Sequence, residues 1–250
     1  SDVEMNQMAW VWEKELTITS YGVDPVTLSR GENFHTNADP ARQRYNPAMI
    51  EVGGETEQGT VSSLILTHII LDDMGKYEGE YFVQADSEGD GETTVSRSEV
   101  PNTSIVQDAI IATYNGMGTI TLGDGAELRN YGGMSAVRLS GGELIMEEGS
   151  AILDTTENER EKGTSGSFGP AGAVWLQGGI LTMNGGTIGG DKGVMMNGRA
   201  LYADGGTANI GGTIQNIHGT DAAWQGQNGV AVHLRSHGEA TLASTGEITN

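Results

Sequence analysis

One eleven-residue phrase recurs in register along the second half of this 250-residue chain, and a chain that repeats itself this way has few folds open to it. Ala136-Val-Arg-Leu-Ser-Gly-Gly-Glu-Leu-Ile-Met146 parallels Ala173-Val-Trp-Leu-Gln-Gly-Gly-Ile-Leu-Thr-Met183 and then Ala200-Leu-Tyr-Ala-Asp-Gly-Gly-Thr-Ala-Asn-Ile210. A looser copy runs from Ala231 through His233 to Leu242, and an earlier one from Ala109 through Ile111 to Leu122. The starting alanines 109, 136, 173, 200 and 231 are spaced by 27, 37, 27 and 31 residues, so one structural unit repeats while the chain between units varies in length.

Within each copy the apolar residues alternate. Val137 and Leu139, then Leu144 and Met146, then Ile152 follow one another, and Val174, Leu176, Leu181, Met183 and Ile188 repeat the series. A period of two means strands. Three short strands per unit, each turned by Gly or Gly-Gly, send one side-chain set inward to rest on its equivalents above and below. A helix would carry a Gly pair in every repeat, at a cost of roughly 1 kcal/mol for each Gly relative to Ala. The expected fold is therefore all-β, a right-handed parallel β-helix, a solenoid of about seven coils and roughly 30 Å of stack at ~4.8 Å per rung. A β-sandwich does not require register-matched repeats.

Weaker copies fill the first half: Leu16-Thr-Ile-Thr19, Val26-Thr-Leu28, Met49-Ile-Glu-Val52 and the run from Ser63 to Asp72. Residues 1–15, with Trp10 and Trp12, are expected to cap the open end of the stack, where unpaired strand edges invite aggregation. Two insertions are expected, at 73–104 and 155–170, within a single domain spanning 1–250. The start at Ser1-Asp2 suggests a piece of a larger secreted protein.

Composition narrows the function. The formal charge of −21, from 34 acidic and 13 basic residues, repels phosphate backbones, and no run of Lys or Arg offsets it, so nucleic acid is not an expected partner. No apolar run approaches the ~18 residues of a membrane span. Zero cysteines exclude disulfides and thiolate metal sites, and fit either a cytosolic or a Gram-positive exterior setting.

The succession Val26-Thr-Leu-Ser-Arg-Gly31, Met49-Ile-Glu-Val-Gly-Gly54, Leu64 to Asp73, and Ile120 to Asn130, with the phrase from Gly178 to Ile188, resembles the pectin-lyase-like β-helix regions of large Firmicutes cell-surface proteins. The resemblance covers residues 16–250. It implies an extracellular, secreted or cell-wall-associated module with neighbouring domains, and roles in adhesion or carbohydrate binding. The sequence carries no wall-sorting motif.

The first strand of each unit leaves one outward position, read as Ile111, Arg138, Trp175, Tyr202 and His233. Aromatic faces with polar tips suit sugar C–H surfaces, and rungs of ~4.8 Å nearly match a hexose unit, so Arg138, Trp175, Tyr202 and His233 are the candidate glycan-binding residues. The competing reading is that these side chains only stack on one another, stabilising an exposed sheet by about 0.2–1 kcal/mol per pair. The second strand gives an outward column of Thr121, Ile145, Thr182, Asn209 and Thr241, similar to the threonine arrays of ice-binding β-helices, but Glu143 and Glu239 beside it break the uncharged plane such a role needs.

Asp86-Ser-Glu-Gly-Asp-Gly-Glu92 alternates acids before a glycine, so Asp86, Glu88 and Asp90 are candidate calcium ligands. The twelfth position holds Arg97 rather than Glu, which favours a solvated acidic loop. Asp72-Asp73 is the one adjacent Asp pair, and neighbours at a strand end point different ways. None of the five histidines has a metal-binding spacing.

The expected function is thus a non-catalytic, monomeric structural or adhesin-type module, binding glycan or host matrix along the ladder or acting as a spacer. The alternative is a polysaccharide lyase or glycoside hydrolase of the β-helix class, which needs a cleft with paired carboxylates.

Overall fold

A computed structural model describes residues 2–35, 48–53, 62–73, 81–84, 92–95, 109–113, 118–130, 135–153, 172–189, 200–215, 231–234 and 240–249. The chain forms a right-handed parallel β-helix, and every described core strand pairs in parallel with its counterpart one coil away. A leading strand, β1 (Val3–Gln7), precedes seven coils of three strands.

The first coil is β2 (Ala9–Val11), β3 (Glu15–Thr19) and β4 (Val26–His35), and the second is β5 (Ala48–Val52), β6 (Ser62–Thr67) and β7 (Ile69–Asp72). An antiparallel hairpin, β8 (Tyr81–Gln84) and β9 (Glu92–Val95), falls inside the first expected insertion. The third coil is β10 (Ala109–Thr113), β11 (Gly118–Leu122) and β12 (Glu127–Arg129); the fourth is β13 (Ser135–Leu139), β14 (Glu143–Met146) and β15 (Ala151–Leu153). The fifth is β16 (Val174–Leu176), β17 (Ile180–Met183) and β18 (Thr187–Gly189), and the sixth is β19 (Leu201–Ala203), β20 (Gly206–Ile210) and β21 (Thr213–Gln215). The last is β22 (Val232–Leu234), β23 (Ala240–Ser244) and β24 (Glu247–Thr249).

First strands make one seven-stranded sheet and second strands another, while third strands join β1 in a sheet of eight. Like residues therefore rest on like. Val137, Val174, Leu201 and Val232 form one inner column of the first sheet, as the repeat predicts. Leu144, Leu181 and Ala208 stack in the second sheet, and Leu128, Ile152, Ile188 and Ile214 in the third. These columns meet in one continuous core, where each fully buried Leu, Ile or Val contributes about 1.5–3 kcal/mol.

The repeated Gly-Gly has a steric origin. At the corner from first to second sheet, Gly142, Gly179 and Gly206 lie above one another with φ of 73°, 77° and 80°. The carbonyl of Gly142 accepts from Ile180 N–H and that of Gly179 from Thr207 N–H, both at 2.9 Å. A Cβ on Gly179 would land on the Gly142 carbonyl oxygen and within 2.7 Å of the Gly141 carbonyl carbon. Left-handed φ and close vertical approach together exclude any side chain there.

The long excursions share one corner. The intervals 36–47, 73–108, 154–173, 190–200 and 216–231 all join a third-sheet strand to the next first-sheet strand. Connections at the other two corners are shorter. Insertions thus leave the coil from the third sheet and rejoin it at the first, the sheet that carries the aromatic ladder.

Three register assignments differ from the sequence reading. Ile111 pairs with Val137 and is an inner residue, so Ala112 is the outward neighbour of Arg138. In the second sheet Asn209 pairs with Ala243, which puts Thr241 beside Thr207 in the neighbouring column. Trp10 lies within the first rung, paired with Glu51, rather than ahead of it, so only β1 precedes the coils. No helix among the described residues is long and apolar enough to cross a membrane.

Candidate functional site

The outward column of the first sheet reads Trp10, Glu51, Ala112, Arg138, Trp175, Tyr202 and His233, one residue per rung. Period-two alternation sets this: the flanking Val174 and Leu176 turn into the core, so Trp175 must turn out. All four sequence candidates, Arg138, Trp175, Tyr202 and His233, fall on consecutive rungs. The Trp175 and Tyr202 rings lie 6.4 Å apart between centroids and are tilted, and Tyr202 meets His233 at 5.2 Å, edge to face. Both spacings are those of favourable aromatic pairs.

The column is graded in exposure. Arg138 is 3% exposed and Trp175 8%, whereas Tyr202 and His233 are half-buried. The expectation of an exposed ladder therefore gives way to one that is closed from Glu51 to Trp175, half-open at Tyr202 and His233, and open at Trp10, which is 39% exposed. Beside it runs a second outward column, Met49, Ile110, Ala136, Ala173, Ala200 and Ala231, and this too is buried. Arg138, Tyr202 and His233 each make further interactions. The indole N–H of Trp175 is buried and has no hydrogen-bond partner among the described residues.

A second polar cluster, of which the sequence signalled only the Asp72-Asp73 pair, lies where the third sheet of the upper coils turns toward the first. Arg30 of β4 forms an ion pair with Asp73 just beyond β7, and its Nη2 donates to the carbonyl of Ala109 at the start of β10 (3.3 Å). Its guanidinium carbon sits 4.7 Å from the centre of the Phe34 ring, a cation–π distance. Asn130, in the left-handed conformation at φ 56°, donates through Nδ2 to both oxygens of Asp72 at 3.0 Å. The adjacent aspartates thus point to different partners, and both are buried. One guanidinium ties three successive coils together.

The outer face of the second sheet is open to solvent and carries Thr121, Ile145, Thr182 and Asn209 in register. Thr182 Oγ1 donates to Glu143 at 2.9 Å, which keeps a carboxylate within that face. Asp86, Glu88 and Asp90 lie outside the described residues. Among the described residues no three His, Asp or Glu side chains gather into a metal-binding group.

Comparison with known proteins finds no matching family model, no matching curated relative and no matching solved structure.

Proposed function

We propose that this chain is a non-catalytic extracellular module that binds glycan along the first-sheet ladder, with Tyr202 and His233 as its accessible part. The observation that carries this reading is the rung-by-rung succession of Arg138, Trp175, Tyr202 and His233 on one outward column. Rungs of ~4.8 Å present one platform per sugar unit, and rings with polar edges meet both the C–H face and the hydroxyls of a pyranose. All the long excursions rejoin the coil at the start of this sheet's strands, the kind of connection that carries binding residues on a rigid scaffold. The engagement of Asp72 by Asn130 and of Asp73 by Arg30 favours binding over hydrolysis, since neither carboxylate is available to a substrate.

Glycan-array screening of the intact chain, followed by titration of the best ligand, tests the reading. Tyr202→Ala and His233→Ala are each expected to weaken binding by about tenfold, as anchors at a contact face do, while the melting midpoint stays within a few degrees. Affinity unchanged in both variants removes this face from consideration. These two positions are the informative ones, because truncating the buried Trp175 would disturb packing as well as contact.

A further inference from the structure

The last coil leaves the core open. Leu234, Leu242 and Ile248 are 45%, 36% and 37% exposed, although their register partners one rung above, Ala203, Ala208 and Ile214, are fully buried in the same three columns. Among the described strands, β22, β23 and β24 are each the last of their sheet, so all three present an unpaired edge. Unpaired edges around an exposed apolar core favour association with another chain. Charge does not oppose it there: among the described residues of this coil Glu247 is the only carboxylate and there is no Lys or Arg, on a chain of formal charge −21.

We infer that two copies of this chain join through their last coils, tail to tail about a two-fold axis, in place of the monomer expected from the sequence alone. Successive strands of a right-handed coil step along the stack by about a third of a rung, so this end is a ramp on which β22 stands back, β23 lies midway and β24 projects. A two-fold axis through the second sheet sets β23 on its own copy and β22 on the second copy's β24. The projecting strand meets the recessed one, and all three facing pairs close together, antiparallel, at one rung. Strand lengths agree: β22 and β24 have three residues each and β23 has five. With the axis at Leu242, the middle of β23, Ala240 faces Ser244 and Thr241 faces Ala243, so inward positions meet inward positions. Leu242 then covers Leu242 of the second copy, and the apolar ends of the other two columns close on each other. Such a contact uses the same patch twice and closes on itself, the commonest form of assembly. The other arrangements fit less well. Head to tail, β1 would follow β24, but the third sheet has eight strands against seven in the others, so the first and second sheets would each lack a rung. Head to head, Asp2, Glu4, Glu13 and Glu15 would approach their own copies with Lys14 alone to offset them.

Sedimentation of the 250-residue chain at about 10 μM is expected to give twice the mass of one copy. Leu242→Asp sets two carboxylates against each other at the axis and is expected to weaken association by about 100-fold, returning the single mass. Leu16→Asp, at a position 37% exposed in the first coil, is the matched control and leaves the doubled mass. Cross-linking reads the same contact without placing a charge in the coil, because the chain has no cysteine of its own. Under mild oxidation Leu242→Cys is expected to join two chains through the axis, where facing Cα atoms of an antiparallel pair lie ~4.5–5.5 Å apart, and Leu16→Cys is not. A single mass for the unmodified chain overturns the inference. So does cross-linking through Leu16→Cys alone, which means head-to-head contact, or only in a mixture of the two variants, which means head-to-tail stacking.

Discussion

Gly179→Ala is expected to lower stability by about 4 kcal/mol, although it adds only one methyl group. Two costs combine: a non-glycine residue at φ 77°, which costs about 1–3 kcal/mol, and overpacking against fixed backbone, another 1–3 kcal/mol. The backbone cannot yield cheaply. The Gly142 oxygen that the methyl would strike is the acceptor for Ile180 N–H, and Gly179's own carbonyl accepts from Thr207 N–H, so a shift breaks the ladder on both sides. Gly178 provides the control, because its added Cβ meets Ser140 O at 3.0 Å and no left-handed φ is involved. Urea denaturation should show Gly178→Ala losing less than half as much as Gly179→Ala; equal losses would show that the corner geometry is not what selects glycine.

Asp73→Asn is expected to cost about 3–5 kcal/mol, because it leaves the Arg30 guanidinium buried beside a neutral amide. The ion pair need not itself be strongly stabilising, since desolvating both charges offsets most of their attraction. The double substitution Arg30→Met with Asp73→Leu, which removes both charges and keeps bulk, should therefore recover most of the loss. Denaturation of the two singles and the double completes the cycle, and salt should affect it little, as screening barely reaches buried pairs. A loss below 1 kcal/mol for Asp73→Asn would mean that water reaches the pair.

The coil was legible because its physical causes are local. Alternation in Leu144-Ile145-Met146 and Leu181-Thr182-Met183 marks strands, and the Gly-Gly between Leu139 and Leu144 fixes the corner, so neighbouring copies align without ambiguity. Where that anchor is missing, register slipped. The corner after β10 has no Gly-Gly pair, so nothing in the sequence aligns Ile111 with Val137 rather than Arg138 or marks Ala112 as the outward residue. The closing of the ladder from Glu51 to Trp175 is not legible, because alternation tells which residues leave the coil but not what packs against them from outside. Arg138 and Trp175 are outward and buried at once. The Arg30 clamp is illegible for a related reason: Arg30 and Asp73 meet only once Leu28 is aligned on Leu71, and the first two coils repeat too weakly for that alignment to stand out.

Since the chain contains no cysteine, a pair introduced on the solvent face of the second sheet reads vertical stacking directly. Thr182 and Asn209 are register partners on adjacent rungs, within the ~4.4–6.8 Å Cα span that a disulfide bridges, whereas the Thr182 and Thr207 pair is offset by two residues and exceeds ~7 Å. Under mild oxidation, Thr182→Cys with Asn209→Cys is expected to lose its free thiols as monomer, while Thr182→Cys with Thr207→Cys keeps them. Free thiols persisting in the first variant while the second becomes cross-linked would contradict the stacked coil and, with it, the ladder built upon it.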